Sequence, residues 1–143
     1  MRHNYAILTA LAIIFLIPGC PSHDDAFKGA VQTASISAEV YEVVSSVYAK
    51  KMGILVKKFN TDGKLSKSEQ TIYKKLRAFQ KPLEAYGEAH QAFVEAIRAW
   101  KVAREQDPSA SAPTKVIDLI DDIQRFIKEA NDIREVLAKV PDE

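Results

Sequence analysis

After residue 26, apolar residues recur at spacings of three and four along almost the whole chain, which restricts the fold to packed α-helices. This alternation keeps one side of a helix apolar over many turns, as in the seam of a coiled coil. Glycine is scarce, with 5 residues in 143, and runs of β-branched residues are short. The sequence therefore predicts an all-α protein.

The first predicted helix begins near Asp24 and Asp25, which we expect to cap its N-terminus. It ends at Gly63, a residue that is free to adopt a positive φ. Its apolar positions form two rows with a period of seven, and we expect both rows to be buried. The first row is Phe27, Ala34, Tyr41, Tyr48 and Leu55, and the second row is Val31, Ala38, Ser45, Met52 and Phe59.

The second and third predicted helices carry the same apolar spacing. Ser66 and Glu69 form a predicted capping box at the start of the second helix, and Asp107-Pro108 marks its end. Pro82 lies inside this segment and lacks a backbone N–H, so we expect a kink or a break next to it. The predicted core rows are Ile72, Leu76, Phe79, Leu83, Tyr86, His90, Phe93, Ile97, Trp100 and Arg104, then Leu119, Ile123, Phe126, Ala130, Ile133, Leu137 and Val140.

Short connections make consecutive helices antiparallel. We therefore predict an up-down-up antiparallel bundle of three long helices with coiled-coil-like packing, or of four helices if Pro82 breaks the second one. Residue numbers that face each other sum to about 125 in the first hairpin and to about 220 in the second. The third helix then reaches only the level of Gln80, and the end of the first hairpin projects beyond it.

The projecting part of the hairpin is apolar on more than one face and strongly basic. Ten Lys and Arg residues against two acidic residues give residues 50–81 a net charge of +8, whereas residues 20–49 carry −3 and residues 84–143 carry −5. Either residues 66–81 fold back as a separate helix, or a partner covers this end. The charge is explained by a solvated surface, by an anionic partner or by self-association of basic and acidic halves. The candidate partner-binding residues are Met52, Leu55, Phe59, Lys57, Lys58, Lys64, Lys74 and Lys75.

We find no Gly-rich phosphate loop, no HExxH motif and a single cysteine, so we predict a protein that is not an enzyme and holds no cofactor or metal. Residues 58–69 are similar to the calcium loop of an EF-hand, but Lys58 replaces the first acidic ligand and would repel a cation. His90 is the only histidine in the predicted bundle, and we expect it in the core with Tyr41 or Tyr86 as its hydrogen-bond partner.

The start of the chain has the layout of a secretory signal peptide. Arg2 precedes an apolar run from Ala6 to Ile17, and the small residue Gly19 precedes Cys20. With Ile17, Gly19 and Cys20 in the positions of a lipobox, the chain resembles the bacterial lipoproteins. The resemblance implies cleavage before Cys20, diacylation of its thiol and acylation of the new amino terminus.

The resemblance also implies the domain organisation and the location. Residues 1–19 are a signal peptide that is removed, residues 20–25 are a lipidated tether, and residues 26–143 are the helical bundle domain. The protein is expected on the bacterial cell membrane or the outer membrane, facing the periplasm or the cell exterior. Nucleic acid is not an expected partner for an exported, anchored chain.

The predicted function is that of a membrane-anchored, non-enzymatic lipoprotein that binds another envelope protein through the basic and apolar hairpin end. One alternative is a structural spacer that forms a homo-oligomer. Another is a carrier of a small ligand or an ion, with a pocket near His90.

Overall fold

The computed structural model describes residues 22–140, which form three long α-helices and no β-strand. Helix α1 spans His23–Asp62, α2 spans Lys67–Gln106 and α3 spans Thr114–Leu137. Each helix packs against the other two. The predicted all-α, antiparallel bundle of three long helices is confirmed.

The ends of α1 are set by local hydrogen bonds. Ser22 is the N-cap, because its side-chain oxygen accepts a hydrogen bond from the backbone N–H of Asp25. The prediction that Asp24 and Asp25 cap the helix is wrong, and both lie in the first turn, where negative charge suits the helix dipole. At the other end Gly63 has a φ of 68°, as predicted, and its N–H donates to the carbonyl of Phe59 over 2.8 Å.

Helix α2 begins at the predicted capping box and continues through Pro82. The side chain of Ser66 accepts from the backbone N–H of Glu69, and the Glu69 carboxylate accepts from the backbone N–H of Ser66. The alternative of four helices is therefore wrong. We attribute the unbroken helix to packing, because the flanking Phe79 and Leu83 are both buried and their burial offsets one lost hydrogen bond.

The buried face of α1 differs from the prediction in one of its two rows. The first row is confirmed as the seam, with Leu55 only 2 % exposed and its other members half-buried against the core. The second buried row lies three residues after the first row, whereas the prediction placed it four residues after the first row. This row is Ala30, Ser37, Val44 and Lys51, of which three are buried.

Aromatic contacts fix how α2 meets its two neighbours. The rings of Phe27 and Trp100 meet edge to face at the start of α1, with centroids 5.1 Å apart. The Tyr86 ring stacks on Phe126 of α3 with centroids 3.6 Å apart. Tyr48 contacts Phe79 further along the hairpin. Residue numbers in contact sum to 127 for the pairs between α1 and α2, close to the predicted register.

The end of α3 reaches further toward the hairpin end than predicted. Val140 lies in a second buried cluster with Leu55 and Leu76, one helical turn beyond the expected level of Gln80. Its carbonyl oxygen accepts a hydrogen bond from the Lys51 ammonium, whose side chain is buried. Residues 66–81 form no separate helix, because residues 67–106 are one continuous helix. The apolar surface that was predicted to need such a helix or a partner is covered in part by residues 136–140.

Candidate functional site

The end of the hairpin formed by α1 and α2 keeps an exposed apolar patch. Val56 is 42 % exposed and Phe59 is 52 % exposed, whereas Met52 is half-buried at the edge of the second cluster. These three residues stand at spacings of four and three, so they share one face of α1. Val56 is not among the predicted partner-binding residues, although its position in this spacing was a signal for it.

Leu55 does not belong to this patch. It is 2 % exposed and packs with Leu76 and with Val136, Leu137 and Val140 of the α3 end. The prediction that a partner binds Leu55 does not fit this burial. The sequence analysis assigned the cover of this row position to a partner, because the third helix was expected to stop one turn short of it; residues 136–140 provide that cover instead.

Exposed cations lie at the same end of the hairpin as the apolar patch. Lys57 follows Val56 on α1, Lys64 lies in the connection, and Lys74 and Lys75 lie on the first turns of α2; all four side chains are exposed. We use the name tip surface for the exposed side chains of Val56, Phe59, Lys57, Lys64, Lys74 and Lys75. A surface of this composition combines apolar contact area with an attraction for negative charge.

Lys58, the remaining predicted partner-binding residue, is exposed but forms an ion pair with Glu69 of the same hairpin end. Its ammonium pairs with Oε1 of Glu69, and Oε2 of Glu69 accepts from the backbone N–H of Ser66 over 2.8 Å. The hydrogen bond from Lys58, together with those from Ser66, lowers the pKa of the Glu69 carboxyl to about 2. The carboxylate at the last position of the EF-hand-like segment is thus held by the lysine that replaces the first ligand.

A buried polar cluster joins α1 to α2 in the middle of the bundle. The Ser37 side chain is 0 % exposed, and its Oγ lies 3.0 Å from Nδ1 of His90 and in short contact with the Tyr86 hydroxyl. The Tyr86 hydroxyl also donates to the Ser37 carbonyl over 2.8 Å. His90 lies on the seam as predicted, but its partner is Ser37, not Tyr41 or Tyr86.

One arrangement of protons pairs every group of this cluster. Tyr86 has a single hydroxyl proton, which it donates to the Ser37 carbonyl. Ser37 then donates to the Tyr86 hydroxyl, and Nδ1 of His90 donates to Ser37 Oγ. In this arrangement Nε2 is the acceptor of the neutral ring.

Burial shifts the pKa values of both rings in the direction of the neutral form. Desolvation raises the pKa of Tyr86 to about 12, although the hydrogen bond with Ser37 acts against this shift. Desolvation lowers the pKa of His90 below its usual value. A serine and a histidine 3.0 Å apart resemble a nucleophile and its base. Here, however, the Ser37 side chain is buried between two helices, and its hydroxyl oxygen is also in contact with the Tyr86 hydroxyl.

Cys20, the predicted lipidation site, lies outside the described residues. None of the three helices combines the length and the apolar character needed to span a membrane. Within residues 22–140, no group of three or more His, Cys, Asp or Glu side chains is arranged to hold a metal ion. The chain matches no protein-family model, no curated protein and no solved structure.

Proposed function

We propose that this chain is a membrane-anchored lipoprotein without enzymatic activity that binds an acidic protein of the cell envelope through the tip surface. The observation that carries the proposal is the exposure of Phe59 and Val56 beside exposed lysines at the end of the hairpin. An apolar patch rimmed by polar residues is typical of a protein-interaction site. The net charge of +8 between residues 50 and 81 favours an acidic partner.

The position of the tip surface along the bundle supports an anchored binding module. Helix α1 has 40 residues, so it is about 60 Å long. It begins three residues after Cys20, the proposed lipid attachment site. A lipid at Cys20 would hold one end of the bundle at the membrane and leave the tip surface free to meet a partner.

Photo-crosslinking in living cells tests the partner-binding proposal. A photoreactive amino acid replaces Phe59 or Lys64, and the matched control carries it at Ile117, an exposed residue of α3. We expect one discrete heavier band from the two tip positions and none from the control. A band at twice the monomer mass would indicate self-association instead, and the absence of any tip-specific band would overturn the proposal.

Labelling with a palmitate analogue tests the anchor. We expect the wild-type chain to incorporate the label and to sediment with membranes, and the Cys20→Ser variant to lose both properties. If the variant keeps the label, Cys20 is not the lipidation site and the lipoprotein proposal is wrong.

A further inference from the structure

The face of α2 that points away from the core separates its positive and negative charges into two halves. The buried residues of α2 keep spacings of three and four from Leu76 to Trp100, so the opposite face follows the same period of seven. Its outermost row is exposed at every position: Lys67, Lys74, Lys81, Glu88, Glu95 and Val102. We call these six residues the outer row.

A row of small residues lies beside the outer row. Its members are Thr71, Ala78, Ala85, Ala92 and Ala99. Four of them are exposed, and Ala92 is half-buried. Side chains of this size let a second helix approach closely. The larger side chains of Arg77 and Glu84 lie on the flank toward α1, where their charges act on Tyr48.

The charges of the outer row are not neutralised within one copy of the protein. Within residues 22–140, no ion pair involves Lys74, Lys81, Glu88 or Glu95. The Glu95 carboxylate accepts a hydrogen bond only from the uncharged amide of Gln91. Lys81 and Glu88 are two turns apart, about 10 Å along the axis, so they do not pair with each other. The outer row therefore presents three cations followed by two anions to its surroundings.

We infer that the outer face of α2 is an interface with a second copy of this chain, in which the two α2 helices pack antiparallel about a two-fold axis next to Ala85. A two-fold interface brings the same patch of both copies together. Facing residue numbers then sum to 170 in the small row, so that Ala78 meets Ala92 of the second copy and Thr71 meets its Ala99.

Charge complementarity selects a second copy in this orientation. In the same register Lys81 faces Glu88 of the second copy and Lys74 faces its Glu95, with residue numbers that sum to 169. The two-fold axis repeats both contacts, which gives four ion pairs. A parallel copy would instead set each lysine against the same lysine. Exposed ion pairs contribute little free energy each, so their main effect is to select orientation and register.

This inference goes beyond the proposed function and leaves most of the tip surface free, because only Lys74 belongs to both surfaces. It has one consequence for a chain that carries the proposed lipid at Cys20. The two anchors of an antiparallel pair lie at opposite ends of the bundle, about 60 Å apart. The pair would therefore join two facing lipid surfaces.

Cysteine crosslinking of the full-length chain in detergent tests the register. We expect Ala85→Cys to form a disulfide-linked dimer under mild oxidation, because this position meets itself at the axis. Thr71→Cys and Ala99→Cys should form a dimer when the two variants are mixed, and neither should do so alone. The controls are Ala49→Cys, at an exposed position of α1, and the wild type with its native Cys20.

Two outcomes of the crosslinking would overturn the inference. If Ala85→Cys gives no more dimer than the two controls, the outer face of α2 is not an interface. If Thr71→Cys alone crosslinks as strongly as the mixture, the copies pair in parallel.

Charge reversal tests the ion pairs. Lys81→Glu places like charges together on both sides of the axis, and we expect the concentration needed for half-maximal crosslinking through Ala85→Cys to rise about tenfold. Adding Glu88→Lys should restore the wild-type value, because both pairs are then reversed. Lys128→Glu, at an exposed position of α3, is the control and should leave the value unchanged. If the double reversal crosslinks as weakly as Lys81→Glu alone, these ion pairs do not form.

The outcomes are separate from those of the proposed function. Capture of a different protein by a probe at Phe59, with no dimer through Ala85→Cys, would keep the tip surface and overturn the antiparallel pair. A dimer through Ala85→Cys, with no capture at Phe59, would keep the pair and overturn the proposed partner binding.

Discussion

At the scale of single residues, the cluster of Ser37, Tyr86 and His90 decides how α1 and α2 are aligned. Its hydrogen bonds run in one direction, from His90 through Ser37 to Tyr86 and back to the Ser37 carbonyl. A helix shifted by one residue would leave these buried groups without partners, and unpaired buried polar groups are costly. The cluster therefore fixes the register that apolar contacts alone leave loosely defined.

Removal of the Tyr86 hydroxyl should destabilise the fold. Tyr86→Phe leaves the buried Ser37 hydroxyl without its acceptor, and we expect the free energy of unfolding to fall by about 1–3 kcal/mol in urea denaturation. The matched control is Tyr73→Phe on the same helix, where the ring is half-buried and the expected change is below about 0.5 kcal/mol. Equal effects of the two substitutions would show that the cluster contributes no specific stability.

The lowered pKa of His90 predicts a pH dependence of stability. The unfolded chain takes up a proton at the usual histidine pKa of about 6.5, whereas the folded chain resists protonation to a lower pH. The stability contributed by neutral His90 is therefore present above pH 6.5 and is lost as the pH falls through the folded pKa. We expect urea midpoints measured between pH 8 and pH 5 to decrease for the wild type and to decrease less for His90→Gln. An identical pH profile for both proteins would contradict this assignment.

The sequence predicted where His90 lies but not what it bonds. Its place in the apolar row of α2 put it on the seam, which the structure confirms. The partner depended on the register of the hairpin, which was estimated from the loop between the helices and was two residues off. The residue types of the turn from Gly63 to Ser66 do not by themselves determine how far α2 is shifted along α1. Ser37 was therefore missed, because it belongs to neither of the two predicted rows of the first helix.

At the scale of the helices, α1 shows the limit of heptad analysis. The second buried row of a heptad pattern can lie three or four residues after the first row, and in α1 the positions four residues later are the more apolar. The structure buries Ala30, Ser37 and Lys51, which include a hydroxyl and an ammonium, and exposes Val31 and Phe59. Apolar character alone therefore gives the wrong row. The burial of Lys51 is explained by its acceptor, the Val140 carbonyl just after α3, which the sequence pattern of α1 does not reveal.

Two helical glycines provide a matched test of packing within the helices. A Cβ added at Gly53 would meet no atom within 4 Å, whereas one added at Gly87 would lie 2.8 Å from the hydroxyl oxygen of Tyr41. Replacement of a helical glycine by alanine is intrinsically favourable by about 1 kcal/mol. We expect Gly53→Ala to raise the free energy of unfolding by about this amount, and Gly87→Ala to raise it less or to lower it. Equal gains would mean that the Tyr41 ring moves aside at no cost.

At the scale of the whole molecule, the unequal helix lengths divide the bundle into two parts. Helices α1 and α2 each have 40 residues and α3 has 24, so three helices pack together at one end and only two continue to the tip. Both parts were predicted from the estimated register of the two hairpins. The boundary between them was one turn off, because the register between α2 and α3 differs from the estimate: Val140 lies in a cluster with Leu76 and not at the level of Gln80.

The end of α3 should contribute strongly to stability. Leu137 is 4 % exposed and packs in the second cluster, so Leu137→Ala should lower the free energy of unfolding by about 2–5 kcal/mol. Val102→Ala, at a residue that is 55 % exposed, is the control and should change it by less than about 0.5 kcal/mol. A small effect at Leu137 would indicate that the α3 end is not firmly packed in solution.

The passage from three packed helices to two has a consequence for how the molecule opens. Backbone amides of the three-helix part are released only when the core itself comes apart, whereas those beyond Leu55 and Leu76 are protected by two helices alone. Within residues 22–140, the hairpin end should therefore exchange its amide hydrogens with solvent before the three-helix part does, as α1 frays from Gly63 toward Leu55 and α2 frays from Ser66 toward Leu76. A segment whose opening costs less free energy than that of the core can adjust its side chains to another surface while the remainder of the bundle stays folded.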